Sequence, residues 1–209
     1  MTTTTAQAAA PLANNPLVLP AVNGKKKHIS WSDFQKKYLQ REDGYKYEWV
    51  NGAVEKTRRS IDKTQLFILR NLQDFFLGLK TQGKASGQLI SEPDLFFVKN
   101  HRRPDIVWLT DEQIDRLAYN GNDVPAFIIE VISTNDQMNL VHQKMLNYQE
   151  AGVRVVWHVF PLLNIVHVYG GAHLESMTVC SGGQTCSAAP VLPNFELPVQ
   201  EVLRKPAKD

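Results

Sequence analysis

Residues 126–132 read Ala-Phe-Ile-Ile-Glu-Val-Ile, an apolar and mostly β-branched run with one carboxylate set into it. A continuous run of this kind, opened by Pro125, is what a strand covered on both faces requires, since neither side of its pleat can offer polar groups to water. Helices must then lie above and below, which makes the chain an α/β domain with this strand near the middle of the sheet. Glu130 breaks the pattern. An ionised carboxylate among Phe, Ile and Val is costly unless a partner or a cation compensates it. A salt bridge, or a strand-end position reaching water, is the plain alternative to a functional role.

The flanking sequence supplies the other elements. Tyr47-Glu48-Trp49-Val50, Asn51-Gly52 and Ala53-Val54-Glu55 predict a hairpin, because Asn-Gly accepts the positive φ angles of a type I′ turn. Ser30 with Asp33 opens a short helix carrying Trp31, Phe34 and Tyr38. From Ile61 to Leu79, the spacing of Leu69, Leu72, Phe76 and Leu79 predicts a long helix packed on a sheet. Gln88 to Val98 and Pro104 to Leu109 read as an antiparallel pair joined by the charged turn Lys99-Asn100-His101-Arg102-Arg103. Thr110 to Gln113 opens a capped short helix. After Glu130, Met138, Val141, Met145 and Tyr148 mark a helix ending near Gly152. Strands follow at 153–160, 164–169 and 174–179, and a Pro-rich tail lays Leu192, Phe195 and Leu197 on the body.

Residues 1–28 lack acids, end in Lys25-Lys26-Lys27 and show no periodicity able to bury a face, so they read as a disordered leader to one domain at 29–205. The 209 residues suit one domain rather than two. With 23 basic against 21 acidic residues the net charge is +2, so no whole-protein field draws the chain to nucleic acid or membrane. No apolar run approaches the roughly 20 residues of a membrane helix, and no secretory signal is visible, which predicts a cytoplasmic protein. Cys180 and Cys186 bracket a Gly-rich turn and offer half of a zinc site at most, which favours structural inertness.

Asp105 alters the reading of Glu130. It follows Pro104 at the mouth of Ile106-Val107-Trp108-Leu109, so a second buried strand also begins on a carboxylate. Two carboxylates on neighbouring strands can share a hard cation such as magnesium, which keeps several waters and often binds phosphate substrates as well. Lys144 lies roughly 80° from the centre of the 138/141/145/148 stripe on a helical wheel, at the edge of the buried face. Ordinary snorkelling is its plain alternative.

Five ordered motifs now stand together: Tyr47-Glu48-x-x-x-Gly52, Arg103-Pro104-Asp105-Ile106-Val107, Ile129-Glu130-Val131-Ile132-Ser133, Lys144-x-x-x-Tyr148-x-x-x-Gly152-Val153, and Val156-Trp157-His158-Val159-Phe160-Pro161. In this order the chain resembles the Uma-two family of restriction endonucleases, within the PD-(D/E)XK nuclease superfamily, over about residues 30 to 205. The resemblance implies a restriction-endonuclease-like α/β fold, a central mixed β-sheet flanked by helices with an added N-terminal β-hairpin. It implies a Mg2+ (or Mn2+) ion held by Asp105, Glu130 and the Val131 carbonyl, with Lys144 orienting or helping to deprotonate the attacking water. Isoleucine stands two residues after Glu130, where the superfamily carries its lysine, and Lys144 resembles the relocated form. Glu48 matches the hairpin glutamate, a further ligand or a support for one, with a cross-strand ion pair as the plain alternative. Leu140 and Thr64 depart from residues common in the family.

Two function classes follow. One is a metal-dependent endonuclease acting most simply on DNA, with Arg102 and Arg103 beside the Pro-Asp strand available to phosphate, and a homodimer to cut two strands. The other is a nuclease-fold module that binds nucleic acid or a protein without cutting. Pro93-Asp94 is a rival Pro-Asp; Asp105 is preferred because the buried strand Ile106 to Leu109 follows it directly and because it matches the spacing to Glu130 that the resemblance implies. The near P-loop at 78–85 fails because it ends in Ala85 and follows a helix.

Overall fold

The computed structural model describes residues 28–58, 63–119, 121–133 and 137–206. The leader expected at 1–28 lies, but for His28, outside them.

A short helix, α1 (Trp31–Phe34), capped by the Ser30 hydroxyl, runs on into a π-helical turn over Gln35–Leu39. Strands β1 (Tyr45–Val50) and β2 (Ala53–Arg58) pair antiparallel across Asn51 and Gly52, whose φ angles are 49° and 77°. Gly52 is required twice, because a Cβ there would stand 2.1 Å from the His28 ring. Helix α2 (Lys63–Thr81) buries Ile68, Leu72, Phe76 and Leu79. Its stripe is centred one residue before the expected Leu69.

The next segment departs from expectation. Only β3 (Gln88–Ser91) pairs with β6 (Ile106–Leu109); β4 (Leu95–Phe97) turns away to pair with β5 (Asn100–Arg102). Glu92 takes a φ of 47° and Pro93 follows it, so the backbone cannot continue as one strand. The supposed charged turn is therefore itself a strand, with Asn100, His101 and Arg102 all buried.

Helix α3 (Asp111–Ala118) carries the expected capping box between Thr110 and Gln113. Strand β7 (Phe127–Val131) is buried at every residue. Helix α4 (Met138–Glu150) then crosses to β8 (Val155–Phe160), which is parallel to β7. On α4, Val141, Met145 and Tyr148 are buried, whereas Met138 is exposed. Strands β9 (Ile165–Gly170), β10 (Ser176–Ser181), β11 (Thr185–Ala188) and β12 (Leu192–Pro198) and helix α5 (Val199–Val202) complete the chain.

Three sheets result: β2-β1-β5-β4, β10-β9-β8-β7-β6-β3, and β11-β12. The six-stranded sheet is mixed, and β7 lies inside it. Its odd-numbered β7 residues, Phe127, Ile129 and Val131, join Trp157, Phe195 and the α2 stripe in one core, with β11, β12 and α5 closing it. Cys180 and Cys186 sit in this core as free thiols, with burial and the neighbouring Cys180 pushing the Cys186 thiol up. On the other face, Ile128 and Val156 meet Met145 and Tyr148 of α4 and Leu95 and Phe97 of the four-stranded sheet. That sheet has its own division of labour. Tyr45, Tyr47 and Trp49 turn toward α1, where Trp31 stacks on Phe34 and meets Trp49 edge-on, while Lys46 and Glu48 turn inward.

Candidate active site

Pleat alternation sends Glu130 to the α4 face, because its neighbours Ile129 and Val131 belong to the α2 core. The β6–β7 register sets Ile106 opposite Ile129, and so carries Asp105 alongside Glu130. Asp105 is held on both oxygens: the Val131 amide donates to Oδ2 at 2.8 Å, and Lys46 Nζ donates to Oδ1 at 3.1 Å. Glu130, 4% exposed, accepts Lys144 Nζ at 3.2 and 3.3 Å and the Tyr148 hydroxyl. Lys144 and Tyr148 are four residues apart on α4, one turn apart on the same face, so both reach one carboxylate.

Glu48 stands beside this pair. The turn register puts it directly opposite Glu55, two like charges that would repel if left alone. Arg102 resolves the conflict. Its Nη1 donates to Glu48 at 3.0 Å and to Glu55 at 2.7 Å, and its Nε and Nη2 donate to Asn147 of α4 at 3.0 and 2.8 Å. Glu48 Oε1 also accepts the Arg103 amide at 2.8 Å and lies 3.8 Å from Lys144 Nζ. Lys144 therefore bridges the strand carboxylate and the hairpin carboxylate.

The electrostatics separate these groups. Burial would raise Glu48, yet the charges of Lys144, Arg102 and Lys46 outweigh it and hold the carboxyl at about 2. Asp105 is likewise held below its ordinary value, Lys46, Lys144 and the Val131 amide overcoming burial. Glu130 goes the other way, raised by burial and by the Asp105 charge in spite of Lys144. Lys144 is raised despite burial, because Glu130, Glu48 and Asp105 all favour its cation. Two neighbouring carboxyls pushed apart in this manner are a common mark of a reacting centre.

A hard divalent cation suits this donor chemistry. The Asp105 charge already penalises ionising Glu130, and a cation between them would remove that penalty. Among the described residues no three His, Cys, Asp or Glu side chains are gathered as a metal-ligand cluster. Two carboxylates completed by backbone oxygen and water make the donor set that magnesium commonly accepts.

Asp105, Glu130, Lys144 and Glu48 are thus brought together, and Val131 joins through its amide. Arg102 is not available as expected. It has no exposed surface, and its guanidinium is committed to Glu48, Glu55 and Asn147, so it braces the site rather than meeting phosphate. Arg103 retains 17% side-chain exposure and pairs with Asp94 at 3.1 Å. Asp94, the rival Pro-Asp, is thereby occupied away from Glu130. The Thr64 side chain lies outside the described residues.

Lys46, Tyr148, Asn147 and His158 were not singled out from sequence for the centre. A signal for Lys46 existed: it shares strand parity with Glu48, so one buried face carries both. Arg102 was signalled by the Glu48/Glu55 opposition that the Asn-Gly turn dictates, since buried like charges demand a cation. Nothing local marked Asn147. His158 lies on β8 beside Glu130 and is held neutral by burial, down to about 4.

Among the described residues no helix is long and apolar enough to cross a membrane. A sequence search of curated proteins finds no match. Among solved structures, the chain is similar to a protein from Anabaena variabilis described as "a putative nuclease belonging to DUF820", with a TM-score of 0.64 and 16% identity over 79% of this chain and 93% of that one. At that identity the likeness is one of fold. The sequence profile of the Uma2 family, described as "Putative restriction endonuclease", matches residues 31–200. With a nuclease-like fold and a family match across most of its length, the chain belongs to the Uma2 family.

Proposed function

We propose that the protein is a metal-dependent endonuclease hydrolysing phosphodiester bonds, most simply in DNA, with Asp105, Glu130 and the Val131 carbonyl holding Mg2+ or Mn2+. The observation that carries this reading is the reach of Lys144 from α4 to Glu130, at 3.2 Å, which puts an ammonium group where the strand itself offers only Ile132. A bound divalent cation lowers the pKa of a coordinated water and neutralises charge on the phosphate. The chain's own groups do the rest. Lys144, held cationic by three carboxylates, orients the attacking water and offsets charge growing on the phosphate; in this protonation state it is not a base. Tyr148 fixes one Glu130 oxygen, and the Val131 amide fixes one oxygen of Asp105. Glu48 holds Lys144 from the far side.

One observation favours the non-cutting reading: Lys46 and Lys144 already neutralise Asp105 and Glu130 in part, so the centre is electrostatically tolerable as a pure scaffold. Cleavage assays on duplex DNA, single-stranded DNA and RNA with Mg2+ or Mn2+ decide between the two. Wild type should cut, and Glu130→Ala and Lys144→Ala should each lose about 100-fold or more. Metal-dependent cutting that survives Glu130→Ala would remove this site assignment. Binding of nucleic acid with no cutting under any metal would establish the scaffold reading.

A further inference from the structure

His158 has no part in the reading above. It stands beside Glu130 in the parallel pairing of β7 and β8, and opposite His167 in the antiparallel pairing of β8 and β9. With Asp105 alongside Glu130, four neighbouring strands carry one transverse row: Asp105, Glu130, His158, His167. Alternation fixes the face on which His158 lies. Its neighbours Trp157 and Val159 belong to the α2 core, whereas Val156 and Tyr169 belong to the α4 side, the side of Glu130.

The ring is 3% exposed and meets Tyr169 edge-on at 4.9 Å. Its Nε2 is buried with no hydrogen-bond partner among the described residues. Natural cores rarely leave such an atom uncompensated, and one that persists calls for an explanation, a bound ion or water among them. The charged groups it senses are Lys144 and Asp105 of the centre, with His167 and His142 also near. Adjacent strands lie about 4.8 Å apart, so side chains rising from neighbouring positions of one face can reach a common point.

We propose that His158 Nε2 is a third protein ligand of the cation at Asp105 and Glu130, making a mixed oxygen and nitrogen site that favours a borderline ion over Mg2+. The inference rests on the metal site proposed above. An imidazole nitrogen adds little for Mg2+, which prefers oxygen, and much for first-row transition ions such as Co2+. Ligation requires Lys144 to yield part of its hold on Glu130, since the three donors are not already gathered.

The test uses the full chain and metal alone. Co2+ and Mg2+ affinities are measured by calorimetry for wild type, His158→Leu, His158→Gln and Glu130→Ala, and proton spectra of the Co2+ protein are searched for the strongly shifted ring N–H of a ligating histidine. The expected result is one such resonance in wild type, lost in both His158 variants. Co2+ affinity should fall tenfold or more in those variants while Mg2+ affinity changes less than threefold. Wild type that binds Co2+ at Glu130 without a shifted imidazole resonance overturns the His158 assignment and leaves the carboxylate site standing. A resonance that persists in His158→Leu assigns it to another histidine and also overturns the inference. Wild type that binds neither ion removes the metal reading and this inference with it. If His158→Leu fails to fold, the loss or persistence of the resonance in His158→Gln makes the same assignment.

Discussion

On one face of the six-stranded sheet, Ile129 and Val131 of β7 join Trp157, Phe195 and the α2 stripe in one apolar cluster. On the other, their strand neighbours Ile128 and Glu130 meet α4 and the four-stranded sheet, where Glu48, Glu55, Asp105 and Glu130 are threaded with Lys46, Arg102 and Lys144. The same strands thus build a face whose worth is area removed from water and a face whose groups are each tolerable only because another is present. The apolar face should yield gradually to substitution. The charged face should fail all at once.

Arg102→Met is the severest test of that contrast. It leaves Glu48 and Glu55 buried and opposed, and should cost about 3–5 kcal/mol. Urea unfolding measures it, and replacing Glu48, Glu55 and Arg102 together with apolar residues should recover most of the loss. A cost below 1 kcal/mol would erase the distinction between the faces.

The next test is acid. Glu48 sits at about 2 when folded against an ordinary 4.5, so it stabilises the fold fully above about pH 4.5, and that contribution is lost as pH falls through the folded value. The stake is roughly 3 kcal/mol. Asp105, also lowered, acts with the same sign. Glu48→Gln should be less stable than wild type at pH 7, with the gap narrowing toward pH 2; a gap that widens with acid would reverse the assignment.

Tyr148→Phe removes one donor to Glu130 while keeping the ring that packs on Phe97, and should cost about 1.5–3 kcal/mol in thermal unfolding. The mildest change is Ile129→Val on the apolar face. A loss of about 0.5–1.5 kcal/mol is expected there, with metal affinity unaltered. Any shift in that affinity would show that the faces communicate through β7.

The sequence exposed the two carboxylates because Glu130 interrupts an apolar run and Asp105 opens another, both local signals. It exposed Lys144 through a helical wheel and a family pattern. The hairpin was legible too, since Asn51-Gly52 permits few other turns. The run from Lys99 to Arg103 was misread for a physical reason: charge density usually marks solvent, and although the Asn51-Gly52 turn sets Glu48 against Glu55, no short window brings Arg102 between them or Asn147 of α4 to it. Parity with Glu48 marked Lys46 as inward, but its partner Asp105 lies 59 residues on. Buried ion pairs are properties of register, and register between β1 and β5 is set 52 residues apart in sequence, from Trp49 to His101, by contacts that no short window contains.

The ammonium of this centre sits on a helix, while both carboxylates sit at sheet strands. Position 132, two residues after Glu130, is thereby released to be an isoleucine. It also makes the cation's placement a matter of docking rather than of backbone connectivity. A quarter-turn rotation or a one-residue slip of α4 would carry Lys144 and Tyr148 away from Glu130 together and leave the sheet unchanged. Such a centre is adjustable in evolution and in engineering by editing the underside of one helix, Val141 and Met145, without touching Lys144, Tyr148 or either carboxylate.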